Sequence, residues 1–482
     1  MLLSELFEGS PDIEIRQLSI DSRLPMKDCI FFCLSGIRYD GHDYVEEAIK
    51  NGANVIVYEE DIDTSLDAIF IKVSDVADCL NHIASKYYDY PAKKMETYLI
   101  CGCDGQSSVS YIIYNLLNKR KPCANVGAYG IHYAHHHLYS SVPTLTILDN
   151  HKYLNEFYRT GIEAATFESD AQSLSYKKLD GISPDVFVYT STNEFSGEFT
   201  EIGINYYDAL VSYLYTLDDD TAIILNRDDA SYNELVMAAG ENRVTYGTHS
   251  GSDYIICDVD LRDDSSSFSL RSGKEVNHFN TSLVGMNNVY NATAALVALT
   301  TKGYDITELA EDLKEIKPID GVMEPLDLGQ DYHVYIDCAA NVKSIHDVYD
   351  FAQSVKKPDA RIFALWGINS QDESETLKTI ADLSGGFIDH IILTENNTYS
   401  GDITNVIKKV YPYFINLKPL VIEDRIIAIE SAIELLNKDD ILLILGKGNE
   451  NTITRNLGRE SYIGDKKAAL MAISKRIEEE SI

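Results

Sequence analysis

The stretch Thr97–Lys119 reads TYLICGCDGQSSVSYIIYNLLNK. Tyr98-Leu99-Ile100-Cys101 is a short run of strand formers. A turn follows over Gly102-Cys103-Asp104-Gly105-Gln106-Ser107-Ser108. Beyond it, apolar residues recur at Val109, Ile112, Ile113, Leu116 and Leu117, the spacing that gives a helix one apolar face. Strand, glycine-bearing turn and helix make the frame of a phosphate-binding loop, in which backbone N–H groups and the helix dipole face an anion. Such a loop ends Gly-Lys-Ser/Thr. Here the lysine position holds Gln106, so the frame lacks the side-chain charge that neutralises phosphate.

A chain of 482 residues exceeds one hydrophobic core and implies several domains. Its 45% hydrophobic and 24% charged residues are those of a globular protein. The formal charge of −35 argues against nucleic acid and anionic membrane surfaces; an anionic substrate would need local basic residues. The amino-terminal MLLSELFEGSPDIE has no long apolar core and does not read as a signal peptide. No apolar run reaches the ~20 residues that span a bilayer. Eight scattered cysteines, with Cys101 and Cys103 lacking a second pair at zinc spacing, point to reduced thiols and a cytoplasmic location. His135-His136-His137 reads as a loop run, and adjacent loop histidines rarely converge on one metal ion.

Residues 1–93 read as a small α/β unit. Ser19-Ile20-Asp21-Ser22-Arg23 is a polar turn, Cys29 to Leu34 a buried strand, and Ser35 to His42 a loop carrying Asp40 and Gly41. These are turn formers in their own right. A short helix over Tyr44–Asn51 and a strand over Gly52–Tyr58 follow. Residues 94–318 read as a larger α/β domain with strands at Asp185–Thr190 and Thr221–Leu225, the latter running into Asn226-Arg227-Asp228-Asp229. Polar residues at the carboxyl ends of strands are where a doubly wound sheet places ligands. Asn287, Asn288 and Asn291 precede or open a helix over Ala292–Thr300, as caps or as ligand contacts. Residues 319–482 alternate strands (Val334–Ile336, Arg361–Trp366, His390–Leu393, Ile441–Leu445) with helices such as Arg425–Asn437, which predicts a mostly parallel sheet. Gly446-Lys447-Gly448-Asn449-Glu450 closes the last strand, either offering Lys447 to an anion or turning with an exposed lysine.

Taken in order, these pieces resemble the Mur ligase family, and within it the branch that adds the third amino acid to a UDP-N-acetylmuramoyl peptide. Asp21-Ser22-Arg23, Phe31 to Gly36, Asp40-Gly41-His42 and Asn51-Gly52-Ala53 resemble its uridine-binding domain. Gly105-Gln106-Ser107-Ser108 stands at its Gly-Lys-Thr-Thr, and Asn226 to Asp229 at Asn-x-Asp-Asp. Gly285, Asn288 and Asn291 match G-x-x-N-x-x-N; Gly321-Val322-Met323-Glu324 stands at Gly-Arg-Met-Glu. Asp337-Cys338-Ala339-Ala340 stands at Asp-Tyr-Ala-His, and Gly446 to Glu450 at Gly-Lys-Gly-His-Glu. The resemblance implies three α/β domains: a small uridine-binding domain, a central P-loop-like doubly wound domain, and a carboxyl-terminal Rossmann-like domain. It implies UDP-sugar contacts from Ser22, Arg23, Asp40, Gly41, His42, Ser141 and Lys178. A degenerate ATP site would use Gly102, Gly105, Gln106, Ser107, Ser108, Asn288 and Asp337. A degenerate amino-acid site would use Asn396, Asn397, Tyr399, Gly446 and Glu450. Ser107 and Glu168 would ligate magnesium, with Glu168 and Lys447 serving catalysis.

The departures from the family pattern fall on charge. The loop lysine is Gln106, a metal-site histidine is Gln172, and the carbamoylated lysine aligns near Leu210. The motif arginine is Val322, the motif histidines are Ala340 and Asn449, and the amino-acid-selecting Asp-Asn-Pro-Arg reads Asn396-Asn397-Thr398-Tyr399. Losing one such contact costs about 10²–10³ in rate. The expectation is a Mur-ligase-like protein of peptidoglycan precursor metabolism that binds UDP-N-acetylmuramoyl peptide, or a related UDP-sugar, with impaired catalysis and no cofactor. The alternative is an active ligase. It would join an amino acid to UDP-N-acetylmuramoyl dipeptide through an acyl phosphate, with ATP and magnesium. Other wall-synthesis proteins are candidate partners; nucleic acid and membrane insertion are not expected.

Overall fold

The computed structural model describes every residue except 37–38, 139–143, 193–204, 400–401, 457 and 481–482, and except the side chains at 171, 172 and 206. The chain forms two compact units, Met1–Asp253 with Ala294–Tyr304, and Tyr254–Thr293 with Asp305–Ile482.

The first unit opens with α1 (Leu3–Leu6) and four parallel strands in sequence order, β1 (Gln17–Ser19), β2 (Cys29–Phe32), β3 (Ala53–Tyr58) and β4 (Ile69–Lys72). Helices α2 (Val45–Lys50) and α3 (Val76–Tyr87) lie on opposite faces. Ile30 and Phe32 pack with Val76 and Leu80, whereas Cys29 and Phe31 pack with Val45 and Ala48. A strand buried on both sides has no polar face, which is why β2 is a continuous apolar run.

The larger sheet follows. Its elements are β5 (Glu96–Cys101), α4 (Gln106–Asn118), β6 (Cys123–Gly127), β7 (Gly130–Tyr133), β8 (His136–Leu138), α5 (Ile147–Arg159), β9 (Ala164–Ser169), α6 (Ala171–Ser175), β10 (Val186–Tyr189), α7 (Tyr206–Leu214), β11 (Ala222–Asn226), α8 (Tyr232–Ala238) and β12 (Arg243–Gly247). Strand order is β12-β11-β10-β5-β9-β6-β7-β8, parallel from β12 to β6 and antiparallel through the β7–β8 hairpin. β5 is central and buried, so the loop after it opens at the carboxyl edge, where α/β sheets hold ligands. His136 and His137 lie in β8 rather than in a loop, because Tyr133 and His132 pair across the hairpin with them.

In the second unit, β13 (Tyr254–Leu261), β14 (Ser266–Ser272) and β15 (Glu275–Thr281) form an antiparallel meander. Helix α9 (Met286–Thr301) begins six residues earlier than the sequence suggests, from the difference between Met286 and Ala292. Asn287, Asn288 and Asn291 therefore lie in the first two turns of the helix rather than ahead of it as caps. After α10 (Ile306–Leu313) comes a sheet of order β16-β17-β21-β18-β19-β20, with β16 (Glu324–Leu326), β17 (His333–Asp337), β18 (Ile362–Ile368), β19 (His390–Glu395), β20 (Leu420–Val421) and β21 (Ile441–Leu445). It is parallel except at β16. Helices α11 (Val342–Val355), α12 (Ser374–Phe387) and α13 (Ile403–Val410) pack on one core; α14 (Arg425–Glu434) and the final α15 (Asp465–Glu480) pack on the other. The hairpin β22 (Thr452–Arg455) and β23 (Gly458–Ser461) lies between β21 and α15 in the chain.

Candidate active site

The loop after β5 is pinned at both ends. Gly105 caps α4 with φ +83°, a backbone state open to glycine at little cost. A Cβ at Gly102 would overlap Thr190 Oγ1, so the chain passes the end of β10 only as glycine. Thr190 and Ser191 hydroxyls donate to the Asp104 carbonyl at 2.7 and 3.2 Å, and the Cys103 N–H donates to the Ser191 carbonyl at 2.8 Å. Gln106 is the first residue of α4 and Ser108 is buried beneath it. Lys119 and Arg120 lie just past the far end of this 13-residue helix. At 1.5 Å per residue that is about 20 Å away, so they do not replace the missing lysine.

Glu168 in β9 reaches under this loop and is 2% exposed. Its Oε2 accepts from the Ser107 hydroxyl at 2.8 Å and from the Ala128 N–H at 3.0 Å. Its Oε1 is buried with no hydrogen-bond partner. Burial pushes the carboxyl up to about 7, opposed only by those two hydrogen bonds. A Cβ on Gly127 would overlap Oε1, so the glycine closing β6 makes the seat for this acid. Sequence reading missed Gly127; nothing in its neighbourhood marked it.

Asn226 at the end of β11 and Asp229 just beyond it do scaffold work. Asn226 donates to the Thr190 carbonyl at 3.0 Å. Asp229 accepts from the Thr192 N–H and hydroxyl, both at 2.9 Å, from Tyr189 at 3.1 Å and from the Ser231 N–H at 3.0 Å. Together they fix residues 189–192, against which the loop rests.

Among the residues expected to contact a UDP-sugar, the turns after β1 and β2 are neighbours because those strands pair. The Ser22 hydroxyl donates to Glu47 at 2.5 Å. Arg23 is forked onto Asp21 at 2.8 Å for both nitrogens, with its side chain 80% exposed. Asp40 accepts from the His42 N–H at 2.9 Å and from Nδ1 at 2.6 Å. His42 Nε2 accepts from the Glu59 and Glu60 N–H groups at 3.1 and 3.3 Å, which fixes the Nδ1–H tautomer. Ligand atoms of Asp40, His42 and Glu60 fall within 4.8 Å of one another, but both ring nitrogens are already engaged, so the group reads as a scaffold. A Cβ on Gly41 would come 2.8 Å from Cys33 Cα, closing β2 against its loop. Lys178 is half-buried, and burial lowers its pKa; its carbonyl accepts from Asn150 at 3.0 Å. Lys177 is spent on Asp75 and Asp78 at 2.8 and 2.7 Å. Ser141 lies outside the described residues.

The second unit gathers its motif residues at the ends of β17, β19 and β21. Asp337 accepts from the Met323 and Ala339 N–H groups at 2.7 and 2.6 Å. Asn288 donates to the Val284 carbonyl at 2.9 Å. Lys447 is neither offered to solvent nor exposed: its side chain is 0% exposed and Nζ donates to Glu450 at 2.8 Å, the Thr452 carbonyl at 2.9 Å and Asn397 at 3.3 Å. Burial lowers its pKa. Asn396 donates to the Gly446 carbonyl at 3.0 Å while its Oδ1 is buried without a partner. Tyr399, at φ +49°, pairs its N–H with the Thr454 carbonyl at 3.0 Å. Beside it Arg455 bridges Glu395 and Glu460. Neither Arg455 nor Glu395 was visible in the sequence, since the pairing joins residues sixty apart.

Family models match all three regions: the Mur ligase family catalytic domain at residues 14–88, the Mur ligase middle domain at 100–299, and the Mur ligase glutamate ligase domain at 323–448. A UDP-N-acetylmuramyl-tripeptide synthetase of Borreliella afzelii is 30% identical over 474 residues, covering 94% of this chain and 92% of its own. The chain belongs to the Mur ligase family. A UDP-N-acetylmuramoyl-L-alanyl-D-glutamate–2,6-diaminopimelate ligase of Halalkalibacterium halodurans is 25% identical, over 98% of this chain and 96% of its own. Among solved structures, a ligase of that same name superposes with TM-score 0.71 at 20% identity, covering 99% of both chains. A MurF ligase from Thermotoga maritima in complex with ADP gives 0.65 at 15% identity, over 96% of this chain and 98% of its own. The family thus accounts for the fold, in which parallel α/β sheets carry the motif loops.

Mur ligase chemistry draws on ATP, and the first unit partly fits it. Ser107 and Glu168 present the hydroxyl and carboxylate oxygens that a hard divalent cation takes, and the unpartnered Oε1 is an acceptor in want of a partner. Backbone N–H groups at the head of α4 fit phosphate. The amide of Gln106 adds no charge to them.

Proposed function

We propose that this Mur ligase family member holds a UDP-N-acetylmuramoyl peptide, or a related UDP-sugar, and has lost most of its ATP-driven amide formation. In this reading residues 1–93 bind the uridine end, 94–318 carry the altered ATP loop, and 319–482 carry the altered amino-acid site. The protein would work in the cytoplasm beside other wall-synthesis proteins. The observation that supports it is Gln106 at the head of α4, with Glu168 buried below the loop and no cation lowering its pKa.

A phosphoryl transfer site works by holding charge, and neutralising the γ-phosphate is most of its task. ATP, when bound, would supply the phosphoryl group that activates a carboxylate. Here α4's N–H groups would orient the phosphates and Gln106 would contact them without neutralising them. Arg23, exposed in the turn after β1 and paired with Asp21, would meet a diphosphate at the cost of loosening that pair. Calorimetry with UDP-N-acetylmuramoyl dipeptide should show saturable binding, and a phosphate-release assay with ATP and common amino acids should stay at background. No heat up to millimolar ligand would overturn the binding reading.

A second reading, an active ligase, is favoured by the Ser107–Glu168 donor pair, which retains a place for magnesium. Phosphate release that requires both ATP and the UDP-muramoyl acceptor would establish it.

A further inference from the structure

The β7–β8 hairpin brings two histidines together outside the site described above. His132 and His137 stand directly opposite each other across the strands. Their Nδ1 atoms are 2.7 Å apart, with the rings 4.8 Å between centroids at 74°. His132 Nε2 lies 2.6 Å from the Tyr129 carbonyl, so that nitrogen carries the proton and Nδ1 is left as the acceptor. His137 is exposed.

We propose that His132 and His137 form a two-imidazole site for a divalent transition-metal ion such as zinc or nickel. Two nitrogens at about 2.0–2.1 Å from one tetrahedral zinc ion stand about 3.4 Å apart, so from 2.7 Å the ring nitrogens need to part by about 0.7 Å, a shift that the exposed His137 ring can supply by turning about its side-chain bonds. A metal-bound histidine characteristically donates its other N–H to a carbonyl, and His132 already does so toward Tyr129. Gly130, at φ +100°, permits this close hairpin, since a Cβ there would overlap the Leu138 carbonyl. The strands are held from the other face: Tyr133 stacks on His136 at 4.8 Å and donates to Glu156 of α5 at 2.5 Å. Tyr114 of α4 meets the His132 ring edge-on at 6.2 Å. The pair is thus set before any ion arrives, which lowers the ordering cost of binding. On binding, the His137 Nδ1 proton moves to that ring's solvent-facing Nε2. Both neutral rings then ligate and no net proton is released. Water completes the shell. The site is independent of the ligase reading.

The test is calorimetry of the full chain with zinc and, separately, nickel, in excess magnesium. The expected result is one saturable site whose affinity falls about tenfold or more in His137→Ala, the share of one ligand. His135→Ala, one residue outside the paired strand, should bind as the parent does. Metal should also raise the melting temperature of the parent and not that of His137→Ala. Because His137 is exposed, its loss leaves the hairpin core in place; His132→Ala, checked for folding by circular dichroism, should repeat the effect. Unchanged affinity in His137→Ala, equal loss in His135→Ala, or no saturable binding by the parent would each overturn the proposal.

Discussion

Two glycine-bearing turns close central parallel strands, one after β5 and one after β21, and they treat buried charge in opposite ways. After β21, Lys447 is buried with Glu450 and two further acceptors, so each donor has a use. Under the turn after β5, Glu168 of β9 is buried with one oxygen satisfied and the other without a partner. Buried charge is tolerated when paired and costly when not. The first arrangement is a finished structural lock. The second leaves a buried acceptor unpaired.

The largest effect should come from removing the unpaired acid. A carboxyl whose folded pKa of about 7 exceeds its unfolded value binds its proton more tightly when folded. Stability therefore falls as pH rises from about 4.5 to about 7, by about 3 kcal/mol in all. Glu168→Gln should relieve this penalty at pH 8 and have no such effect at pH 4, as read by urea denaturation at both pH values. Equal stabilities at pH 8 would show that a partner already serves the acid.

The converse change should cost stability. Lys447→Met removes three hydrogen bonds from a buried ammonium and leaves Glu450 able to rehydrate, for about 2 kcal/mol of destabilisation by denaturant melts. A neutral outcome would make Lys447 a functional group held in reserve rather than a lock. Gln106→Lys should then narrow the contrast. One charge-assisted contact to phosphate is worth about 1.5 kcal/mol or more, about tenfold in ATP affinity by calorimetry. An unchanged affinity would mean that another cation already faces the nucleotide. The smallest structural effect belongs to Arg23→Ala, whose exposed guanidinium should leave the melting temperature unchanged while weakening UDP-sugar binding.

Much of this architecture was readable from pattern. The apolar run of β2, the strand–turn–helix around Gly105, and the strand–helix alternation after residue 319 are local signals, and local signals survive into the fold. The start of α9 was misplaced because asparagines are good caps in general and here lie in the first two turns of the helix, with Asn288 donating back to the Val284 carbonyl ahead of it. His136 and His137 were misread because a hairpin is defined by its partner strand. The site was legible only where a motif carried it. Gly127 beneath Glu168, Glu47 at Ser22 and Arg455 at Glu395 are contacts across the sequence, and no window of residues displays them.

The seat that Gly127 makes for Glu168 has an inherited side. A methyl group at position 127 and a carboxylate at 168 compete for one space, so the two positions form a single unit of variation. In relatives that keep the acid, position 127 should stay bare. Where the acid has been shortened, that strand end is free to acquire a side chain, and finding the two changes together would date the loss of this pocket.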